Sequence, residues 1–313
     1  MARDDQFQLT GNDIIKAAAR KINAVRSGAQ MGTAMIADFR QSLNAMVKHW
    51  EAQGLHLWTV GEATLFPQPG QVQYRLSNAA SSAHATESFV QTEISAAEAS
   101  GQTVISVETT DGMANDNYIG VTLDDGSIFW SKVVGAPGAT VTISSPLPDS
   151  TAAGNLVFAY ANKIVRPLHI PFGRSYDPIS AEETTVDPIA RRDYQMLSNK
   201  IVPGQINQFY YDPQLSAGLL NLYQTQSIAG SLFKFTWHRP ILKFDAAGDY
   251  PDLPEEWSQT LIFNLAVVMA PEFSVSTETL QQIATMAGTF KDDMMGWDRE
   301  AESFQFGPDF EQG

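Results

Sequence analysis

Cysteine is absent from the 313-residue chain. Disulfides, thiolate metal sites and cysteine nucleophiles are excluded, and pairing says nothing about the redox compartment. Basic residues are scarce: 20 Lys and Arg stand against 35 Asp and Glu, a formal net charge of −15. A protein that grips nucleic acid by neutralising phosphates needs the opposite balance on its contact face. Long hydrophobic runs are also missing. The longest, LIFNLAVVMA at 261–270, is about half of the roughly 20 residues that cross a bilayer. It predicts a buried helix, and no membrane partner is expected. The opening MARDDQFQLTGND starts charged and polar, without the basic region and apolar run of a secretory signal, so no export signal is expected.

Catalytic and cofactor signatures are missing as well: there is no GxGxxG, Walker loop, GxSxG, HExxH or cysteine pair. The histidines His49, His56, His84, His169 and His238 are scattered, without the close-spaced partners of a metal motif. Asp292, Asp293, Asp298 and Glu300 in KDDMMGWDRE could hold a hard cation if they converged, but they lack the alternation of a calcium loop and fit an exposed helix end. Asp124 and Asp125 sit in a turn, where Asp suits the backbone geometry. No catalytic residue, cofactor or metal site is expected, and the chain is not expected to be an enzyme.

What is present is a change of period along the chain. Residues 10–58 predict an antiparallel helix pair. Thr10 and Asp13 suit a capping box. Ile14, Ile15, Ala18, Ile22 and Val25 then fall at helical spacing, followed in the second helix by Phe39, Leu43, Met46, Val47 and Trp50. Gly54 supplies a left-handed stop. The apolar tail Leu55, Leu57 and Trp58 after that stop is expected to seal the helix end and enter the core, with part of its surface covered by a neighbouring subunit; Trp50, Leu57 and Trp58 are the candidate subunit-packing residues.

From about Gln71 the pattern becomes extended. AASSAHATES is a polar linker, and QTVISVET, DNYIGVTLDDGSIFWSKVV, ATVTISSPL and NLVFAYA are β-branched and aromatic runs separated by turn sequences. Asp125-Gly126 marks a hairpin. Tyr118, Phe129 and Trp130 are expected to fill a small sandwich core, or else to present aromatics to a sugar or another protein. After Lys163 come a short helix within 187–199 and three strands, INQFYYDP, GLLNLYQT and LFKFTWHRPI. An acidic, proline-punctuated lead-in opens a third major helix at Trp257, which Pro271 stops; a fourth starts near Ser276. AESFQFGPDFEQG has no period and predicts a flexible tail.

These segments together resemble a known family. DIIKAAARKINAV, LNAMVKHWEAQGLHLW, IVRPLHI, PIARRDYQMLSNK, GQINQFYYDPQ and DYPDLPEEWSQTLIFNLAVVMAPEF, in that order and spacing, resemble the head-to-tail adaptors of short-tailed bacteriophages, also called head completion or packaged-DNA stabilisation proteins. The resemblance implies an α+β fold: a helical-hairpin or four-helix adaptor core with a small antiparallel sheet, interrupted by an all-β, sandwich-like or barrel-like insertion. The expected organisation is an N-terminal hairpin at 1–76, the inserted β-domain at 77–162, the sheet and C-terminal helices of the core at 163–300, and a flexible portal-docking tail at 301–313.

The function implied is structural. Copies would form a homo-oligomeric ring of about 12 beneath the portal protein, extend the DNA channel, help retain packaged DNA and offer a platform to tail nozzle or tail fibre proteins. Double-stranded DNA would pass through the lumen without sequence-specific binding, and an acidic wall would avoid phosphate contacts that stall it. The location implied is the virion, at the portal vertex, after synthesis in the host cytoplasm. Phe304, Phe306 and Phe310 become the candidate portal-docking residues. A rival from another class is a virion-associated cell-wall-degrading or carbohydrate-binding protein; another is a soluble regulatory protein with no virion role.

Overall fold

The computed structural model describes residues 8–26, 28–54, 59–226 and 230–297. It divides into two compact units, one drawn from residues 1–59 and 241–313, the other from residues 60–240. The helices are α1 (Gly11–Lys21), α2 (Thr33–Gln53), α3 (Arg191–Met196), α4 (Trp257–Met269) and α5 (Thr277–Trp297). Of these only α3 lies in the second unit.

In the first unit α4 is the central helix, and α1, α2 and α5 pack around it. Its sequence WSQTLIFNLAVVM is apolar on nearly every side because it has neighbours on nearly every side. Trp257 meets Trp50 of α2 at 5.9 Å between ring centroids, and Phe263 meets Phe290 of α5 at 5.2 Å. α1 starts as its sequence predicts: Asp13 N–H donates to the Thr10 hydroxyl at 3.2 Å, and Thr10 N–H donates to the Asp13 carboxylate at 3.3 Å. α2 ends on Gly54 at φ 110°, a conformation that side chains with a Cβ resist. After α4 the chain tightens into a 3-10 turn, Ala270–Phe273, with Pro271 in it.

A polar seam ties the returning chain to α2. Arg40 Nη1 donates to Asp245 O at 3.0 Å, and Lys48 Nζ donates to Ile241 O at 2.7 Å. Asn44 both donates to Phe244 O at 3.0 Å and accepts from Phe244 N–H at 2.8 Å, while Glu51 accepts from Ile241 N–H at 2.6 Å. Positions 40, 44, 48 and 51 share one side of a helix. They give an extended segment the hydrogen bonds that a sheet partner would otherwise supply.

The second unit is built on strands β1 (Val60–Leu65), β2 (Gln73–Leu76), β3 (Ala85–Thr86), β4 (Val90–Glu93), β5 (Val104–Ser106), β6 (Tyr118–Thr122), β7 (Ile128–Lys132), β8 (Thr140–Thr142), β9 (Leu156–Tyr160), β10 (Gly173–Tyr176), β11 (Glu183–Pro188), β12 (Gln208–Pro213), β13 (Gly218–Tyr223) and β14 (Leu232–His238). Eight of them form one sheet in the order β2-β13-β12-β11-β10-β14-β1-β3. All its pairings are antiparallel except β11 with β12. Ala83 N–H, just before β3, donates to Arg75 O in β2 at 2.8 Å, so the two edges meet and the sheet nearly closes on itself. Phe209, Phe233, Phe235, Trp237, Leu220 and Tyr74 are buried inside it.

A four-stranded sheet, β4-β9-β6-β7, and the ribbon β5-β8 complete the unit. β9 is buried along its whole length. Its alternate residues go to opposite sides: Val157 and Ala159 join a core with Ile105, Ile119, Val121 and Val141, while Leu156, Phe158 and Tyr160 join an aromatic cluster with Phe66, Phe89 and Trp130. The period of two in a strand buried on both faces explains the uninterrupted apolar run. The same rule separates the three aromatics singled out in the sequence: Phe129 packs on the first core, whereas Tyr118 and Trp130 pack on the second cluster.

This overturns the expected fold. The chain is mostly β, dominated by a nearly closed eight-stranded sheet with two smaller sheets, and not a helical-hairpin or four-helix adaptor core with a small antiparallel sheet and an inserted all-β domain. The difference comes largely from β1, β10 and β11. Their sequences VGEATL, GRSY and ETTVDP lack apolar alternation, and β11 buries only Val186. Such strands are specified by the backbone bonds of their neighbours and not by apolar alternation. The expected boundaries at 76/77 and 162/163 both fall inside the second unit.

Candidate functional site

The residues with chemical potential do not converge. Among the described residues no group of three His, Asp or Glu is placed to hold a metal ion. His49 bonds Gln53 one turn on, at 3.0 Å. His169 and His238 face each other across a β-bridge with ring centroids 5.7 Å apart. His56 lies outside the described residues, as do Asp298 and Glu300, while Asp292 and Asp293 are exposed on α5. Asp124 organises a turn: it accepts from the Ser150 hydroxyl at 2.7 Å, Ala152 N–H at 2.9 Å and Asn155 Nδ2 at 3.0 Å. The Ser150 bond most of all, joined by those from Ala152 and Asn155, holds its carboxyl below the usual range against the opposing effect of desolvation. Asp125 is likewise lowered, first by the Ser127 hydroxyl. Both carboxylates are thereby committed to loop geometry.

Trp50 is buried within its own unit, between Trp257 and the Lys291 ammonium, which stands 5.4 Å from its ring. Leu57, Trp58, Phe304, Phe306 and Phe310 lie outside the described residues. The surface that α2 does present mixes small residues, Ala34, Ala37, Ala45 and Ala52, with Asp38, Gln41, Lys48 and His49, on the side away from its buried Phe39, Leu43 and Trp50. A second such surface lies on α5, where among the described residues Ile283 and Ala287 are the fully buried ones and Glu278, Gln281, Ala284, Thr285, Gly288, Thr289 and Asp292 are exposed. The hydroxyls of Thr285 and Thr289 donate to carbonyls one turn back, Gln281 O at 2.9 Å and Thr285 O at 3.1 Å. Both helices therefore expose a face in which small residues are interspersed with charges, Asp38 and Lys48 on α2 and Glu278 and Asp292 on α5.

A polar and aromatic pocket occupies the second unit. It measures about 220 Å³ and is lined by His84, Tyr118, Trp130, Ser131, Lys132, Ser144 and Ser145. β7 builds it: Trp130 and Lys132 are two residues apart on the same side of the strand, and Tyr118 of β6 is paired with Lys132. The His84 ring stacks on Trp130 at 3.9 Å and 7°, and its Nδ1 is 2.6 Å from the Tyr160 hydroxyl. Opposite Trp130 on β6 stands Gly120, where a Cβ would come within 2.7 Å of the indole; the glycine makes room for the ring. Burial, helped by the nearby Lys163 charge, pushes the His84 imidazole down to about 3, so it is neutral at ordinary pH.

No family model and no curated protein matches this chain. Its function has to be argued from these surfaces. The sequence contained a signal for part of the pocket, since the alternation in SIFWSK already places Trp130 and Lys132 on one side. It contained none for His84, Ser144 or Ser145, which arrive from a linker and a turn.

Proposed function

We propose that the protein is a structural component of a virion, a head-to-tail adaptor. Copies form a ring of about 12 beneath the portal protein, extend the DNA channel, help retain the packaged genome and carry the tail nozzle or tail fibres. The observation that carries this reading is the pair of exposed faces on the helical unit, Ala34, Ala37, Gln41, Ala45 and Ala52 with Asp38 and Lys48 on α2, and Gln281, Ala284, Thr285, Gly288 and Thr289 with Asp292 on α5. Two unlike faces on one unit suit a heterologous contact, in which α5 of one copy meets α2 of the next and rotation closes the ring. Small side chains let helices approach closely with little loss of side-chain entropy. The order of sequence segments supports the same family, and the acidic balance of −15 suits a channel through which DNA must slide.

Electron microscopy of the purified protein, alone and mixed with portal, tests the proposal. Rings are expected on the portal; a chain that remains monomeric with portal present sinks it. Ala45→Arg and Gly288→Arg sharpen the test. Both sites are exposed, and a side chain at Gly288 meets nothing within 4 Å. The variants should melt within about 1 kcal/mol of wild type, since exposed changes are mild and arginine favours helix over glycine, yet fail to form rings.

A further inference from the structure

We propose that the pocket bounded by Tyr118, Trp130 and Lys132 binds a single acidic sugar residue, a uronate, with its carboxylate toward Lys132 and its ring against the aromatic wall. This site is independent of the adaptor reading and stands or falls separately from it.

The first argument is charge. None of the seven lining residues is acidic, although the chain carries 35 Asp and Glu. Two ammonium groups, Lys132 and Lys163, each lie 5.1 Å from the centre of the Tyr118 ring. Lys163 is buried, and its hydrogen bonds go to the backbone oxygens of Ala80, at 2.9 Å, and Ser82. Carbonyl dipoles and a ring face solvate that charge without neutralising it. Buried charges are ordinarily paired, and the neutral His84 cannot serve. An anion in the adjoining pocket would lower the field that both lysines create.

The second argument is shape. A bare ion needs no aromatic wall, yet Tyr118, Trp130 and His84 form one here. Trp130 is held by the His84 stack, and its buried indole Nε1 has no hydrogen-bond partner among the described residues. Rigid aromatic surface beside hydroxyl groups is the mixture that a sugar ring meets with its apolar face and its rim. The hydroxyls of Ser131 and Ser144 are 3.1 Å apart, and Ser145 N–H donates to Ser131 Oγ at 3.0 Å, so the polar side is also pre-arranged. At about 220 Å³ the pocket is smaller than the roughly 300–1,000 Å³ of drug-sized sites. One ring fits that size, a chain of several does not.

The experiment is ligand-observed NMR on the full-length protein with sodium glucuronate, and with glucose and inorganic phosphate as comparisons. Saturable glucuronate binding near ~1 mM is expected, the affinity suited to a ligand of this size. Glucose should bind at least about tenfold more weakly, because it lacks the charge. Lys132→Gln should weaken glucuronate binding by about tenfold, and Lys132→Arg should retain most of it. Lys132 is exposed, so both variants should melt with the wild type. No saturable glucuronate signal up to about 50 mM, or an unchanged response in Lys132→Gln, overturns the proposal. Phosphate that binds as tightly as glucuronate also overturns it, leaving a simple anion site.

Discussion

The two units solve the same packing problem in opposite ways. The β unit is continuous in sequence, residues 60–240, whereas the helical unit is assembled from residues 1–59 and 241–313. In the β unit the strand β9 is buried on both faces, while Phe172, Ile179, Ile201 and Leu215 stay exposed in its connecting segments. In the helical unit α4 is surrounded by α1, α2 and α5, and α2 and α5 each keep an exposed side. The continuous piece closes through strand pairing within itself; the piece assembled from two distant segments is laced by side chains of α2 onto the returning backbone.

That contrast can be broken most forcefully at β9. Phe158→Ala should destabilise the β unit by about 3–5 kcal/mol, because the ring is 2 % exposed and packs on Phe66 at 5.0 Å. Hydrogen exchange should show the loss in residues 60–240 and leave α1, α4 and α5 protected; equal loss in both units would mean that they unfold together.

Acid should act next, and on the same unit. The His84 imidazole is held down to about 3 in the folded chain, against about 6.5 when unfolded. Below about 6.5 the unfolded chain takes up a proton that the folded one refuses, so the stability His84 contributes is present at neutral pH and is lost as pH falls toward 3. The slope from this one group is about 1.4 kcal/mol per pH unit. Urea titrations between about pH 5.5 and 4 should show that slope, and His84→Phe should flatten it while keeping a ring against Trp130.

The helical unit is expected to be more sensitive in its seam. Asn44→Ala removes the acceptor for Phe244 N–H and the donor to Phe244 O, and should cost about 2 kcal/mol. The loss should appear by hydrogen exchange at 241–245 before it appears in any strand of the β unit. The smallest effect belongs to the α1 cap. Thr10→Ala leaves Asp13 N–H without its acceptor, for about 1 kcal/mol, whereas Thr10→Ser should be close to neutral in the same thermal melt.

Local chemistry was the legible part of the sequence. The Thr10–Asp13 box, the Gly54 stop, the Asp125-Gly126 hairpin, the helices around Leu43 and Leu265 and the strands carrying Phe209, Leu220 and Phe235 follow from spacing and residue type. The balance between helix and sheet did not, because β1, β10 and β11 are specified by partners up to 178 positions away: Val60 pairs with His238. Nor was the role of Arg40 and Lys48 legible, since their head groups hold backbone carbonyls at Asp245 and Ile241, 205 and 193 positions away. The pocket around Lys132 was half visible, since strand alternation places Trp130 beside it, but His84 reaches it from a segment with no pattern of its own.

The seam between α2 and residues 241–245 also sets a timetable. A chain emerging from the ribosome finishes α2 at Gln53, but the backbone that Arg40, Asn44, Lys48 and Glu51 will hold is made only after the whole of residues 60–240. At about 5–20 residues per second that interval is roughly 10–40 s. Throughout it, Phe39, Leu43 and Trp50 wait without α4 to cover them, while the β unit has everything it needs to fold. α1 and α2, made before the β unit, are therefore fixed in place only after it, once the seam segment and α4 have been made.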